Sequence, residues 1–243
     1  FLHLYRTHGI DLQLCGADQF GNASTGVHLI KRLEGGRADV WSTPLIIDPV
    51  SGRKFGKSEG NAVWLAGSDN GSGNFTSVFD FYQFWLNQAD EAVEYLIKIY
   101  SVLDKSVIDQ ILSEHRTHPE QRVAQKALAK SVTEVVHGKK SAAAAILLTE
   151  LLFGDRRLET LSESEVESIS FLLPTIKLAD KSGSVLLLDA LTETGLCSSR
   201  SEAKQLVSGN AISVNGIKIT DLNFEINTLS VLKRGKNKFA LIK

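Results

Sequence analysis

The sequence predicts an α/β segment followed by an all-α domain and a small α+β module. Three observations predict it. Two apolar runs, LQL at 12–14 and WSTPLIID at 41–48, flank one amphipathic stretch, the spacing of a strand–helix–strand unit with parallel strands. From residue 75 to 173 apolar residues recur at helical intervals through five successive segments. The last sixty residues change character again, with two short helical stretches and an Asn215-Gly216 turn between apolar runs. The boundaries implied are 1–72, 73–173, a linker at 174–183, and 184–243.

In order along the chain, Phe1, Leu4 and Tyr5 share a helical spacing, and Gly9 is the natural stop. Leu12 to Leu14 read as a short strand. STGVHLIKRLEGG reads as a helix capped by Ser24 or Thr25 and ended by Gly35. WSTPLIID is the second strand. FDFYQFWLNQADEAVEYLIKIY is aromatic and amphipathic, with Phe79, Phe81, Tyr82, Phe84 and Trp85 expected in a helical core. Asp104 caps the next helix. Pro119 in the first turn and Gly138 past the last bracket another. SAAAAILLTELLFG follows, and Ser162 with Glu165 forms a capping box for the last. In the terminal module, Gly195 ends one helix, a Ser199–Glu202 box opens a second, and SVLKRGKNKFALIK supplies a strand pair.

Bulk composition is that of a soluble globular protein, 43% hydrophobic and 23% charged, with no apolar run long enough to span a bilayer. The 2 cysteines, Cys15 and Cys197, are far apart and have no neighbours at metal-ligand spacing, which fits a reduced compartment. None of the 6 histidines forms a metal-binding spacing, so a metal role is not expected of any. The chain contains 0 methionines. Translation starts on Met, so the expectation is a C-terminal piece of a longer polypeptide.

Net charge is −1, but unevenly spread. Residues 184–243 carry eight bases against five acids, or +3, leaving −4 upstream. Arg200 and Lys204 sit four apart on one helix face, and KRGKNK clusters Lys233, Arg234 and Lys236 on a hairpin. That pattern suits a cationic face for an RNA backbone, with Arg200, Lys204, Lys233, Arg234 and Lys236 as contacts. The module is expected to bind RNA when cut at 184, with Lys243 at a frayed end contributing little.

GRKFGKSEGN at 52–61 looks like a phosphate-binding loop short of one residue. Such loops place four residues between the first glycine and Gly-Lys-Ser, and only Arg53, Lys54 and Phe55 stand here. Nor does a helix start follow, so a dipole-based cradle is not expected. What remains is a loop with lysines on either side of Phe-Gly. Loop lysines can meet charge developing on a leaving pyrophosphate.

Lys54 to Ser58 match, letter for letter, the Lys-Phe-Gly-Lys-Ser loop of the tyrosyl class I aminoacyl-tRNA synthetases, and on that match the chain resembles this family. LQLCGADQFGN is similar to that family's LQIGGSDQWGN, and NAVWL…DFYQFWLNQAD to its GAVWL…EFYQFWLNTDD. HPEQRVAQKALAKSVTEVVHG and the final sixty residues resemble its helical signature and its terminal RNA-binding module. The tryptophanyl enzymes share the loop lysines but not FYQFWLN.

The resemblance implies the second half of a Rossmann-like catalytic domain, then a helical anticodon-side domain and an RNA-binding tail. It implies a tyrosine–tRNA ligase acting on tyrosine, ATP with Mg2+, and tRNA(Tyr), without a tightly bound cofactor. The full-length protein would be a homodimer without membrane association, in the cytoplasm or alternatively an organelle. Gly16 and Asp18 would hold the adenosine ribose, with Lys57 also contacting ATP. Gln13 and Gln19 would serve the tyrosine. Lys54, Lys57 and Ser58 would be catalytic, closing over the phosphates. The family's His-Ile-Gly-His segment and tyrosine-hydroxyl ligands would lie upstream of Phe1, leaving this piece inactive alone. Departures from the pattern are Cys15, Ala17, Phe20, Val78 and the stretch GSDNGSGN at 67–74. A non-catalytic RNA-binding protein on the same scaffold is the alternative. A nucleotide hydrolase is a weaker one.

Overall fold

The computed structural model describes residues 1–47, 52, 63–69, 71–181 and 183–243. The chain forms two compact units, Phe1–Ala62 and Val63–Lys243.

In the first unit, α1 (Leu2–His8) ends where Gly9 turns left-handed at φ 66°, its N–H bonding to the Tyr5 carbonyl and that of Ile10 to the Leu4 carbonyl. Strands β1 (Leu12–Gly16) and β2 (Asp39–Thr43) pair in parallel, Leu12 opposite Asp39 through Gly16 opposite Thr43. Pro44, which has no N–H to give a ladder, follows directly, so β2 is shorter than the apolar run suggested.

The crossover helix α2 (Phe20–Glu34) starts earlier than Ser24 or Thr25. A 3₁₀ turn at Ala17–Gln19 already sets helical geometry, and the Thr25 hydroxyl bonds back to the Gly21 carbonyl inside the helix. Ala23, Gly26 and Ile30 form its buried stripe. Gly26 is required by space rather than by φ: a Cβ there would lie 2.8 Å from the Cβ of Phe1.

The second unit opens with six helices: α3 (Val78–Leu86), α4 (Asp90–Tyr100), α5 (Lys105–Thr117), α6 (Val123–His137), α7 (Lys139–Phe153) and α8 (Glu163–Ser170). The aromatic stretch is two helices, because Asn87 closes α3 by giving both its backbone and side-chain N–H to the Gln83 carbonyl. Phe79, Phe81, Tyr82 and Trp85 are buried as expected.

Pro119 starts a separate 3₁₀ turn rather than α6. Between them Arg122 takes a left-handed conformation, φ 55°, uncommon outside glycine. Its guanidinium, donating to the Leu86 carbonyl at 2.6 Å, holds it there. Helix α6 packs against α3, α4, α5 and α7, and its small buried residues, Ala124, Ala129 and Ser131 among them, allow close approach. The Ser162–Glu165 box at α8 is present with both hydrogen bonds.

Strand β3 (Thr175–Ile176) lies within the stretch read as a linker. After it come β4 (Val185–Leu186), α9 (Leu187–Glu193), α10 (Arg200–Ser208), β5 (Ile212–Val214), β6 (Ile217–Lys218), β7 (Glu225–Ile226), β8 (Ser230–Arg234) and β9 (Lys238–Ile242). The five-stranded sheet runs β3-β9-β8-β5-β6, with β9 parallel to β3. The hairpin turns through Asn215 (φ 49°) and Gly216 (φ 81°), the left-handed pair a two-residue turn demands.

One face of this sheet packs on α9 and α10 around Leu187, Leu191, Ile212 and Leu232. From the module, Val231, Phe239 and Leu241 join Phe79, Leu147, Leu148, Leu158 and Ile169 in a second core. Helices and terminal module therefore share apolar interior. Lys243 is not frayed. Its N–H bonds to the Ile176 carbonyl, its carbonyl accepts from Leu178 N–H, and its ammonium pairs with Glu167 and Ser170. A cut at 184 removes β3 and strips that second core, so the isolated tail lacks part of its own sheet. Among the described residues no helix is long and apolar enough to cross a membrane.

Candidate active site and RNA face

The carboxyl end of β1 is where an α/β unit presents its ligand site. Gly16 closes the strand, and Asp18 follows in the 3₁₀ turn that leads into α2. Gly16 has an ordinary extended backbone, φ −72° and ψ 156°. Its constraint is steric: a Cβ would sit 2.8 Å from Asp18 Oδ1 and 3.4 Å from Leu45 Cδ2. The glycine lets the carboxylate lie against the strand end. Negative charge there also complements the positive end of α2.

Gln19 is the N-cap of α2 and accepts from Asn22 Nδ2 at 2.9 Å. Gln13 is half-buried, and among the described residues its Oε1 is buried without a hydrogen-bond partner. An unmet buried acceptor costs about 1–3 kcal/mol, so a ligand donor there would be well received. The adjacent hollow of about 410 Å³ is lined by Leu14, Cys15, Trp41 and Thr43. Leu14 and Trp41 are 69% and 65% exposed, an open apolar face on the two-stranded sheet. The structure brings Gln13, Gly16, Asp18 and Gln19 together along one strand and turn. Lys54, Lys57 and Ser58 lie outside the described residues.

The five expected RNA contacts divide in use. Arg234 is an internal bolt: its guanidinium donates to the Leu196 carbonyl and to Glu202, the latter at 2.8 Å. Glu202 also accepts the Ser198 hydroxyl and N–H, and these contacts, with Arg234, hold its carboxyl down at about 2. Glu202 is thus diverted from the capping box, and Ser199 alone caps α10. Arg200 pairs with Asp189 at 2.8 Å but remains half-exposed. Lys233 stands 5.5 Å from the Phe239 ring centre. Lys204 and Lys236 are exposed, and no ion pair engages either among the described residues.

Sequence reasoning missed one buried histidine and one half-buried one. His115, 6% exposed, faces Asp90 at 3.4 Å, and His137 buries its Nε2. The only signal was apolar spacing on their helices.

Residues 1–154 match the family model for tRNA synthetases class I (W and Y), and 165–242 match that for the tyrosine–tRNA ligase SYY-like C-terminal domain. The chain belongs to the tyrosyl-tRNA synthetase family. It is 37% identical over 257 residues to a tyrosine–tRNA ligase of Cytophaga hutchinsonii, covering 100% of this chain and 58% of that protein. Against the Flavobacterium psychrophilum tyrosine–tRNA ligase the identity is 37% over 250 residues, with 100% and 56% covered. A solved structure of a C-terminally truncated Aspergillus nidulans mitochondrial tyrosyl-tRNA synthetase aligns at TM-score 0.49 and 30% identity, covering 63% of this chain and 41% of that one. The chain thus spans a little over half the length of these bacterial family members, and carries a class I synthetase-like α/β fold.

Proposed function

We propose that this chain is the C-terminal part of a tyrosine–tRNA ligase. The observation that carries the reading is the co-linear match of its two parts to the family's catalytic and C-terminal models. Residues 1–72 complete the nucleotide-binding domain and 73–173 form the helical anticodon-side domain. Residues 174–183, which carry β3 of the terminal sheet, lead into the RNA-binding module at 184–243. The full-length polypeptide joins tyrosine to ATP, releasing pyrophosphate, and then moves the tyrosyl group to tRNA(Tyr). A homodimer in the cytoplasm, or in an organelle, is the working state.

In this reading Asp18 accepts the ribose hydroxyl hydrogens, which a carboxylate is suited to do. Gly16 gives that carboxylate and the ribose room. Gln13 offers its unmet acceptor toward the tyrosine, and Gln19 lies at the tyrosine carboxylate end. Lys54, Lys57 and Ser58 meet the phosphates. Among the described residues no group of three or more His, Cys, Asp or Glu could hold a metal ion; Mg2+ would be carried by the ATP phosphates, whose charge it would offset.

The test is Lys57→Ala in the full-length polypeptide. Charge that grows on the leaving pyrophosphate is met mainly in the transition state, so adenylate formation should slow by roughly 100-fold or more. Tyrosine affinity should hardly change. Pre-steady-state pyrophosphate release reads the first, equilibrium titration the second. A normal rate with weakened tyrosine binding overturns the assignment.

For RNA, charge reversal at Lys204 and Lys236 together should flatten the dependence of log K on log salt, by roughly one unit for each phosphate no longer neutralised. The measurement is titration of labelled tRNA at several salt concentrations, using the whole chain. Arg234→Glu should instead lower stability, because it strands Glu202 and the Leu196 carbonyl. An unchanged slope for the double reversal removes these lysines from the RNA face.

A further inference from the structure

The stretch GSDNGSGN, in which the chain departs from the family pattern, begins at Gly67, and Gly67 rests on a histidine. A Cβ at Gly67 would lie 3.3 Å from both Cε1 and Nδ1 of His137 and 3.2 Å from Val78 Cγ2. At that range a neighbour would have to give by a few tenths of an ångström. Phe81 meets the same imidazole edge-on, 4.7 Å between ring centres and 88° between planes. Among the described residues the His137 Nε2 is buried and has no hydrogen-bond partner.

The surrounding elements differ in how readily they yield. Phe81 is 1% exposed in the core of α3, and His137 is the last residue of α6. By contrast, Leu65, Ser68 and Asp69 on the connector are exposed. The connector is tied by Trp64 N–H to Thr76 Oγ1 and Thr76 N–H to the Ala66 carbonyl, both 2.9 Å. Asp69 is occupied by the Gly71 and Gly73 N–H groups.

We propose that His137 is a proton-operated seat for the connector Val63–Asp69: neutral, it holds the Gly67 backbone, and protonated, it releases it. An imidazolium has two N–H donors, and one of them would point into a buried space with no acceptor. Such a charge has to reach water. The connector is the piece that can move to admit it.

Burial pushes the His137 imidazole below its ordinary pKa. The charged residues nearest the contact along these elements are Asp69, Asp80, Glu134, Lys139 and Lys140, and desolvation is the one cause acting on the ring. Asp80 is engaged by the Ser77 hydroxyl. The sign follows from proton counting. The released state binds a proton near pH 6.5, the seated state only lower, so seating is full above about pH 6.5 and is lost as pH falls below it.

Hydrogen exchange on the 243-residue chain, corrected for intrinsic exchange chemistry, reads this. Protection of the Val63–Asp69 amides should be lower at about pH 5.5 than at about pH 7.5, while α3 and α6 amides keep theirs. His137→Gln should abolish the pH dependence. Gly67→Ala should lower connector protection at both pH values, which keeps the test usable if the histidine variant folds poorly. The proposal is overturned by constant wild-type protection, or by a fall that persists in His137→Gln. Equal loss across α3 and α6, or normal protection in Gly67→Ala at the higher pH, also overturns it.

Discussion

Phe239→Ala should destabilise the chain by about 3–5 kcal/mol, the range for removing a buried aromatic ring, and should do so in the helices as well as in the terminal sheet. Phe239 projects from β9 into the second core, 5% exposed. Its ring meets Phe79 of α3 edge-on at 6.4 Å and Phe153 of α7 at 5.8 Å. Truncation therefore opens a cavity in a core that helices and terminal sheet line together. Chemical denaturation in a Trp41→Phe, Trp64→Phe background, where Trp85 alone fluoresces as tryptophan, followed also by far-ultraviolet dichroism, gives two views of one transition. Both midpoints should drop together. A shift confined to the terminal strands, with Trp85 unmoved, means the shared core does not couple the two. Phe239→Leu should cost much less, because most of the volume stays.

The second large effect concerns Gly16 and Asp18. In the full-length polypeptide Gly16→Ala and Asp18→Ala should each lower tyrosine-dependent ATP–pyrophosphate exchange by roughly 100-fold, the cost of about 1 Å of misplacement in a reacting complex. The double variant should be scarcely worse than either. The reason is geometric: the 2.8 Å approach makes Gly16 a condition for where Asp18 stands, so both substitutions remove one interaction. Melting temperatures should stay near the parent, since neither residue is buried. Near-normal exchange in Gly16→Ala, or losses that multiply in the double variant, would separate the two residues.

Which features were legible in the sequence depended on how far the determining contacts lie along the chain. Gly9, Gly35, Ser162 with Glu165, and Asn215-Gly216 act within a few residues, and each ends, caps or turns the chain as its type demands. Strand β3 is two residues long and exists because Thr175 finds Leu241. No local pattern announces that. Arg122 adopts a glycine-like backbone because of the Leu86 carbonyl, 36 positions away. Arg234 reads as a surface cation by residue type, yet Glu202, 32 positions away, holds it.

At the candidate site, the adjacency of Gly16, Asp18 and Gln19 was readable from one continuous motif. The reason for Gly16, room for a carboxylate rather than a special backbone angle, was not. Nor could the unmet Gln13 acceptor be read from residue type, since burial of one atom depends on everything packed around it. Lys54, Lys57 and Ser58 remain legible in the sequence alone.

The place of β9 has a consequence for synthesis. Both of its sheet neighbours, β3 and β8, leave the ribosome before it does, and β3 waits through more than sixty residues for its partner. During that interval α7 and α8 are already available to fold, with Leu147, Leu148 and Ile169 turned toward an absent Phe239 and Leu241. The nascent chain thus exposes an apolar helical face and unpaired strand edges together, the condition in which chains most readily find wrong partners. Closure waits on a long-range pairing, which is slow relative to helix formation. The interval before β9 emerges is therefore when this polypeptide most needs a chaperone.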